Sequence, residues 1–187
     1  MLNRNFKNFK FQHQNKTNQV LFVEKKINKD EEILNLINNF LLDKNSFIFE
    51  SVEKGTIKGR YTIFGKKPDK IWEFNNNKSY KIEANKKVLI KGKPKKIMEK
   101  MLENFKFKTP KNLPPICSLI SGYFSYDTIR YLEKIPNSCK NDLNIPDVRL
   151  LRPTVLIIHD NLKKKIFYIV NVYKDEKIKN YLIKYNN

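Results

Sequence analysis

The apolar segments of this chain are short, and this property restricts its possible folds more than any other. The longest uninterrupted runs, such as residues 155–158 and 166–170, have the length of a β-strand. A membrane-spanning helix needs about 20 consecutive apolar residues, so the sequence predicts that no segment crosses a membrane. A chain of 187 residues is nevertheless long enough to bury a substantial core. The sequence therefore predicts a folded protein rich in strands.

Local patterns predict an α+β fold. Apolar residues at helical spacing predict a helix over residues 31–43, and a proline at the first position opens another over 94–105. A third helix or turn is predicted over 126–133. We expect a curved, mostly antiparallel or mixed sheet with a few packing helices. The predicted strands cover residues 20–25, 46–51, 60–64, 69–74, 79–84, 88–91, 116–124, 154–160 and 165–173.

The formal net charge of +19 raises the question of a nucleic-acid partner. Lysine supplies 33 of the 38 cationic residues, and the lysines are spread along the whole chain. A nucleic-acid site usually concentrates its charge and uses arginine and exposed aromatic residues. Abundant Lys, Asn and Ile are typical of A/T-rich codon usage. A solvated lysine-rich surface is therefore favoured, and a basic nucleic-acid-binding module remains the alternative.

Cysteine and histidine give no sign of a metal or redox site. Cys117 and Cys139 are the only cysteines, and they form no CxxC pair. His13 and His159 stand alone, and no phosphate loop or cluster of carboxylates accompanies them. The first residues are polar and basic and lack the apolar segment of a signal peptide. We expect a cytoplasmic protein with no catalytic residue and no cofactor of its own.

Residues 46–65 are the first segment with a specific pattern. Alternation along its opening strand predicts Phe47 and Phe49 on one face of the sheet, and Ile48 and Glu50 on the other. A glycine-bracketed turn then leads into a returning strand. The end of the opening strand and the start of the returning strand should therefore lie close together.

This arrangement could hold a zwitterion. Glu50 could bind an ammonium group, and Arg60 with Ser51 could bind a carboxylate. Phe49 and Tyr61 would then contact an apolar body. From the residue types alone, an ordinary salt bridge across the hairpin is the favoured alternative.

The second specific segment spans residues 122–136. Asp127 and Arg130 are three positions apart, so one helical turn can pair them. The aromatic residues around this pair are predicted to be mostly core. Stacking on the bases of a single-stranded nucleic acid is the alternative.

Together these segments resemble anthranilate synthase component I. The family's Leu-Leu-Glu-Ser, Val-Glu-Gly-Gly and Gly-Arg-Tyr-Ser-Phe-Ile-Gly are matched at residues 48–51, 52–55 and 59–65. Residues 122–136 match its Gly-Tyr-Phe-Gly-Tyr-Asp-Thr-x-Arg-Tyr-x-Glu-x-Leu-Pro block, with Ser125 in place of Gly and Ile135 in place of Leu, and an Asp-Leu…Pro-Asp pattern follows. Phe49 and Lys54 depart from the family pattern.

The resemblance implies the N-terminal, regulatory portion of an enzyme that makes anthranilate and pyruvate from chorismate and ammonia. It implies Mg²⁺ in the full-length enzyme, none in this chain, and a glutamine amidotransferase subunit as partner. The catalytic chorismate-binding domain has no counterpart here, so no catalysis is expected. L-Tryptophan is the implied ligand and feedback inhibitor. The implied tryptophan-binding residues are Phe49, Glu50, Ser51, Lys58, Gly59, Arg60 and Tyr61.

Three parts of the chain are predicted. Residues 1–19 form a polar basic tail, 20–173 form the tryptophan-binding domain, and 174–187 start a helix that leads toward a missing catalytic domain. The related aminodeoxychorismate synthase component I, of the folate pathway, is the alternative within the same superfamily. No nucleic acid and no membrane is expected as a partner.

Overall fold

Antiparallel strands are the main secondary structure of the computed structural model, which describes residues 12–27, 31–40, 42–50, 59–76, 78–136, 138 and 143–175. The elements are β1 (Gln19–Lys26), α1 (Glu31–Phe40), β2 (Phe47–Phe49), β3 (Tyr61–Asn75), β4 (Lys78–Glu83), β5 (Lys86–Ile90), α2 (Pro94–Asn104), β6 (Ser121–Phe124), β7 (Val148–Asp160) and β8 (Lys165–Val172). The strand order is β1-β8-β7-β3-β4-β5, with β2 paired to β3 and β6 paired to β7. Every pair of strands with a described register is antiparallel. The predicted α+β class with a mostly antiparallel sheet and few helices is therefore confirmed.

Four predicted elements differ from the structure in type or continuity. The strands predicted at 60–64 and 69–74 are one strand, β3, which continues through Lys67 even though its φ is +50°. The strand predicted at 116–124 is replaced by a 3-10 helix (Pro115–Cys117) followed by β6, because the prolines before it set up a turn. The helix predicted at 126–133 is a shorter 3-10 helix, Tyr126–Tyr131. The helix predicted from 174 onward lies mainly outside the described residues.

The described residues divide into two compact units. The first draws on Met1–Lys67, Lys106–Ser118 and Thr154–Asn187. The second draws on Pro68–Phe105 and Leu119–Pro153. The long strands β3 and β7 each contribute one half to either unit, so each unit is described by itself below.

The core of the first unit lies between α1 and the sheet. Phe40 at the end of α1 meets Phe64 of β3 edge to face, with ring centroids 5.7 Å apart. Ile157 and Ile166, from the β7–β8 hairpin, are buried beside them. The apolar positions of α1 recur at helical spacing, which places them on the face that packs here. The partly buried residues on this core are Ile33, Leu36, Ile37 and Ile48.

The core of the second unit forms where α2 packs on strand residues. Trp72 and Phe74 of β3 are buried with Met101 of α2. Arg152 donates to Asp69 through its Nε at 2.8 Å, and its guanidinium lies 5.9 Å from the Trp72 ring centroid.

Among the described residues, no helix is long and apolar enough to cross a bilayer.

The pairing of β2 with β3 depends on a glycine. Phe47 lies opposite Gly65, and a Cβ at Gly65 would lie 2.1 Å from the Phe47 ring. The ring therefore covers the space that any other residue at 65 would fill. Phe47 also lies beside Phe49, with ring centroids 5.0 Å apart, whereas Ile48 faces the core. The alternation predicted for this strand is thus observed.

Replacing Gly65 tests this close approach. We expect Gly65→Ala to lower the free energy of unfolding by about 1–3 kcal/mol, because the Phe47 ring must move. The double variant Gly65→Ala/Phe47→Leu should recover part of that loss, with Phe47→Leu completing the double-mutant cycle. Urea denaturation gives the free energy of unfolding of the parent, the two single variants and the double variant. A Gly65→Ala variant within 0.5 kcal/mol of the parent, on the scale expected for a neutral surface change, would contradict the contact.

Candidate functional site

The structure describes five of the seven predicted site residues. Ser51 and Lys58 lie outside the described residues. Phe49 is the last residue of β2, and Glu50 follows it with an exposed side chain. Tyr61 is the first residue of β3. The site is therefore examined at the end of β2 and at the start of β3.

Phe49 and Tyr61 share one face of the sheet. Phe49 lies opposite Ile63 in the antiparallel register, and directly opposed residues project to the same side. Tyr61 precedes Ile63 by two positions, so it also projects to that side. The Phe49 side chain is 46% exposed. These two aromatic side chains therefore project from the same face of the sheet.

Gly59 and Arg60 form the approach to β3, and Gly59 has a positive φ of 75°. This is the left-handed region, which glycine enters without steric cost. The main chain here is tied to the β7–β8 turn. Asn161 N donates to the Arg60 carbonyl oxygen at 2.9 Å, and Asn161 Nδ2 donates to the Gly59 oxygen at 3.4 Å. The position of Arg60 is thus set by hydrogen bonds to its backbone as well as by its side chain.

The Arg60 guanidinium forms a forked pair with Asp160. Nε donates to Oδ1 at 3.0 Å, and Nη2 donates to Oδ2 at 2.7 Å. The Asp160 side chain is 1% exposed, whereas that of Arg60 is 24% exposed. The Arg60 guanidinium also lies 4.9 Å from the Tyr61 ring centroid, within cation–π range. The carboxylate that binds Arg60 in this part of the chain is therefore Asp160.

Asp160 also organises the turn that follows it. Its Oδ1 accepts hydrogen bonds from the amides of Leu162 and Lys163, both at 3.1 Å. Burial by itself would raise the pKa of Asp160, but the hydrogen bonds from Arg60 and from the turn amides outweigh it and hold the pKa below its ordinary value. The pKa of Arg60 is raised by its hydrogen bond to Asp160. Both groups therefore stay charged at neutral pH.

A cleft of about 570 Å³ opens beside this pair. It lies wholly within the first unit, and Arg60, Tyr61 and Asp160 line it. Its other wall comes from the segment between α2 and the first 3-10 helix. The remaining lining residues are Phe22, Glu24, Lys111, Asn112, Leu113, Pro114, Pro115, Lys163, Lys165 and Phe167.

The sequence motif contains Arg60 and Tyr61 but gives no indication of Asp160. The only local signal for Asp160 is its position at the start of a turn, where an aspartate side chain can bond the following amides. Nothing in the sequence connects it to Arg60, which lies 100 positions earlier. The cleft residues Lys111 and Lys163 are likewise not distinguished from the other lysines by their sequence context.

The fold occurs in a solved structure of an enzyme subunit. The crystal structure of anthranilate synthase component I from Streptococcus pneumoniae TIGR4 matches 72% of this chain with a TM-score of 0.55 and 21% sequence identity. The match covers 29% of that protein. This likeness identifies the sheet as one that occurs in part of an anthranilate synthase component I.

Several sequence relatives of this chain are also named as anthranilate synthase subunits. Anthranilate synthase component 1 of Cereibacter sphaeroides is 28% identical over 154 residues, which is 80% of this chain and 31% of the relative. That of Acetivibrio thermocellus is 33% identical over 144 residues, covering 76% and 29%. The chloroplastic alpha subunit 2 of Arabidopsis thaliana is 31% identical over 154 residues, covering 73% and 24%. No family model matches the chain.

The resemblance to anthranilate synthase component I predicted from the motifs is therefore confirmed over about 80% of this chain. The chain spans about three tenths of the length of the two bacterial relatives.

Removing the charge of Asp160 tests the buried pair. We expect Asp160→Asn to lower the free energy of unfolding by about 3 kcal/mol at pH 7, because Arg60 loses its partner. The folded-state pKa of Asp160 is lowered, so its stabilisation is present above the unfolded-state value of about 3.9 and is lost as the pH falls through the folded-state value. The difference between parent and variant should therefore shrink toward pH 3, as measured by urea denaturation.

A matched control is available in the second unit. Asp127 pairs with Arg130 at 2.9 Å, as the sequence predicts, and its side chain is 53% exposed. Asp127→Asn should cost less than about 1 kcal/mol, since exposed ion pairs contribute little. If Asp160→Asn costs no more than Asp127→Asn at pH 7, the pair is not a principal contact of the first unit.

Proposed function

We propose that this chain is the part of an anthranilate synthase component I that binds L-tryptophan as a feedback inhibitor. The sequence relatives support the family, and the Glu50-Ser51 and Gly59-Arg60-Tyr61 motifs, which resemble the family's, support this part of it. The chain spans only about three tenths of the length of those relatives. We assign to it the inhibitor site and not the catalytic step. On its own the chain does not catalyse.

The observation that carries the proposal is the shared face of Phe49 and Tyr61 beside Arg60. The indole ring of tryptophan is a planar apolar body that would lie against these two aromatic residues. Arg60 uses its Nε and one Nη2 hydrogen on Asp160. The edge formed by Nη1 and the second Nη2 hydrogen can bind a second carboxylate, that of tryptophan.

The ammonium group of tryptophan is assigned to Glu50. Its side chain is exposed at the end of β2, directly after Phe49. Ser51, Lys58 and Gly59 complete the set that the family resemblance assigns to the inhibitor. Asp160 keeps Arg60 in place but is itself fully engaged with Arg60 and two backbone amides, so it acts as a positioning residue.

In the full-length enzyme, tryptophan would bias the position of this part relative to the catalytic domain. Such a coupling between two sites typically amounts to about 1–3 kcal/mol. The catalytic domain would bind chorismate with Mg²⁺ and receive ammonia from a glutamine amidotransferase subunit. The names of the relatives favour this assignment over aminodeoxychorismate synthase component I.

Titration with L-tryptophan tests the site. Since the catalytic domain would supply part of the pocket, we expect millimolar binding or weaker, seen as shifts of the Gly59 and Tyr61 amide resonances in NMR spectra. Phe49→Ala should weaken binding about fivefold through loss of one aromatic contact. Leu89→Ala, at an exposed apolar residue of the second unit, is the matched control and should change nothing.

One result would contradict the proposed site, and another would contradict the expected weak affinity. Shifts that avoid residues 49–61 at saturating tryptophan would rule out the site. Tight stoichiometric binding would show that no second domain is needed to complete it. A separate assay for anthranilate fluorescence with chorismate, Mg²⁺ and ammonia should show no product from this chain, and product formation would overturn its non-catalytic role.

A further inference from the structure

We propose that the cleft of the first unit binds a small planar aromatic molecule with two negative charges, such as an aryl phosphate or an aromatic dicarboxylate. This ligand goes beyond the proposed tryptophan function, because tryptophan is a zwitterion with no net charge. It also relies on two lysines, Lys111 and Lys163, that lie outside the predicted tryptophan set.

The size and walls of the cleft fit a small aromatic ligand. Its volume of about 570 Å³ falls in the ordinary range of small-molecule sites, about 300–1,000 Å³. Phe22 of β1, Phe167 of β8 and Tyr61 of β3 contribute aromatic surface. Pro114 and Pro115 contribute rigid apolar surface from the opposite segment. The lining therefore offers three aromatic side chains and two prolines against which a flat ring could lie, among charged side chains.

The cleft is lined by more positively charged than negatively charged side chains. Arg60 is paired with Asp160, and Lys165 is paired with Glu24 at 3.1 Å. These pairs account for both acidic residues of the lining. Lys111 and Lys163 also line the cleft, and neither forms an ion pair with a described residue. The lining therefore carries two positive charges in excess, which a dianion would balance.

The backbones of both lysines are held in place. The Lys163 amide donates to Asp160 Oδ1 at 3.1 Å, so this lysine starts from the turn that Asp160 organises. Lys111 lies in a turn closed by the hydrogen bond from Leu113 N to the Pro110 oxygen at 3.1 Å. Two cations from separate segments thus start from fixed positions on one cleft, which lowers the ordering cost of binding an anion between them.

Binding of phenyl phosphate and of phthalate to the 187-residue chain tests the proposal, with calorimetry and NMR as readouts. The two probes distinguish a phosphate ligand from a dicarboxylate, and tight binding of either supports the site. The better probe should bind at least about threefold more tightly than inorganic phosphate and than benzoate, because it alone combines both charges with the ring. The amides of Asn112 and Lys163 should shift.

Two double variants, each of which removes two positive charges, distinguish a specific binding site from general electrostatic attraction. Lys111→Met/Lys163→Met should weaken binding of the better probe about tenfold, because two charge-assisted contacts are lost. Lys95→Met/Lys96→Met removes the same charge from exposed positions of α2 and should stay within twofold of the parent.

Three outcomes overturn the proposal: neither probe binds about threefold more tightly than inorganic phosphate, the better probe does not bind about threefold more tightly than benzoate, or both double variants weaken binding equally. None of these outcomes bears on tryptophan binding, which is titrated separately. Failure of tryptophan to bind would in turn leave the dianion site standing.

Discussion

The buried pair of Arg60 and Asp160 is the interaction on which the rest of the candidate site depends. It joins the start of β3 to the end of β7, which are 100 positions apart in the sequence. Asp160 is almost fully buried and accepts four hydrogen bonds, so removing Arg60 would leave an uncompensated charge. The pair therefore holds the guanidinium beside Tyr61, and both of its residues line the cleft.

Features set by local sequence could be predicted. The alternation of Phe47, Ile48 and Phe49, and the β7–β8 hairpin, follow from patterns within a few residues, and both are observed. Arg60 was identifiable because it stands in a recognisable motif. Its partner was not, because a contact between residues 100 positions apart leaves no trace in one sequence. The cleft is hidden for the same reason, since its walls come from four separate segments.

The segment after β6 shows how tertiary contacts can override a local pattern. Its pattern predicts a helix or a turn over 126–133, whereas the structure has a shorter 3-10 helix that makes three contacts with Asp147. The Asp147 carbonyl oxygen accepts from Ser125 N at 2.7 Å and Thr128 Oγ1 at 3.2 Å, and its carboxylate accepts from Tyr131 Oη at 2.5 Å. Burial and the hydrogen bond to Asp147 also raise the pKa of Tyr131. These anchors lie 16 or more positions away, beyond the reach of helical spacing.

The net charge of the chain does not show which lysines could bind an anionic ligand, whereas the ion pairs around each lysine do. Most of the lysines belong to a surface enriched in that residue, whereas the cleft sets Lys111 and Lys163 apart because the acidic residues around them are already paired. Arg60 and Tyr61 belong both to this cleft and to the predicted tryptophan site. Two ligands that share these side chains must affect each other's affinity, and thermodynamic linkage requires the factor to be the same in both directions. A dianion in the cleft would then alter the response to tryptophan without contacting any catalytic residue.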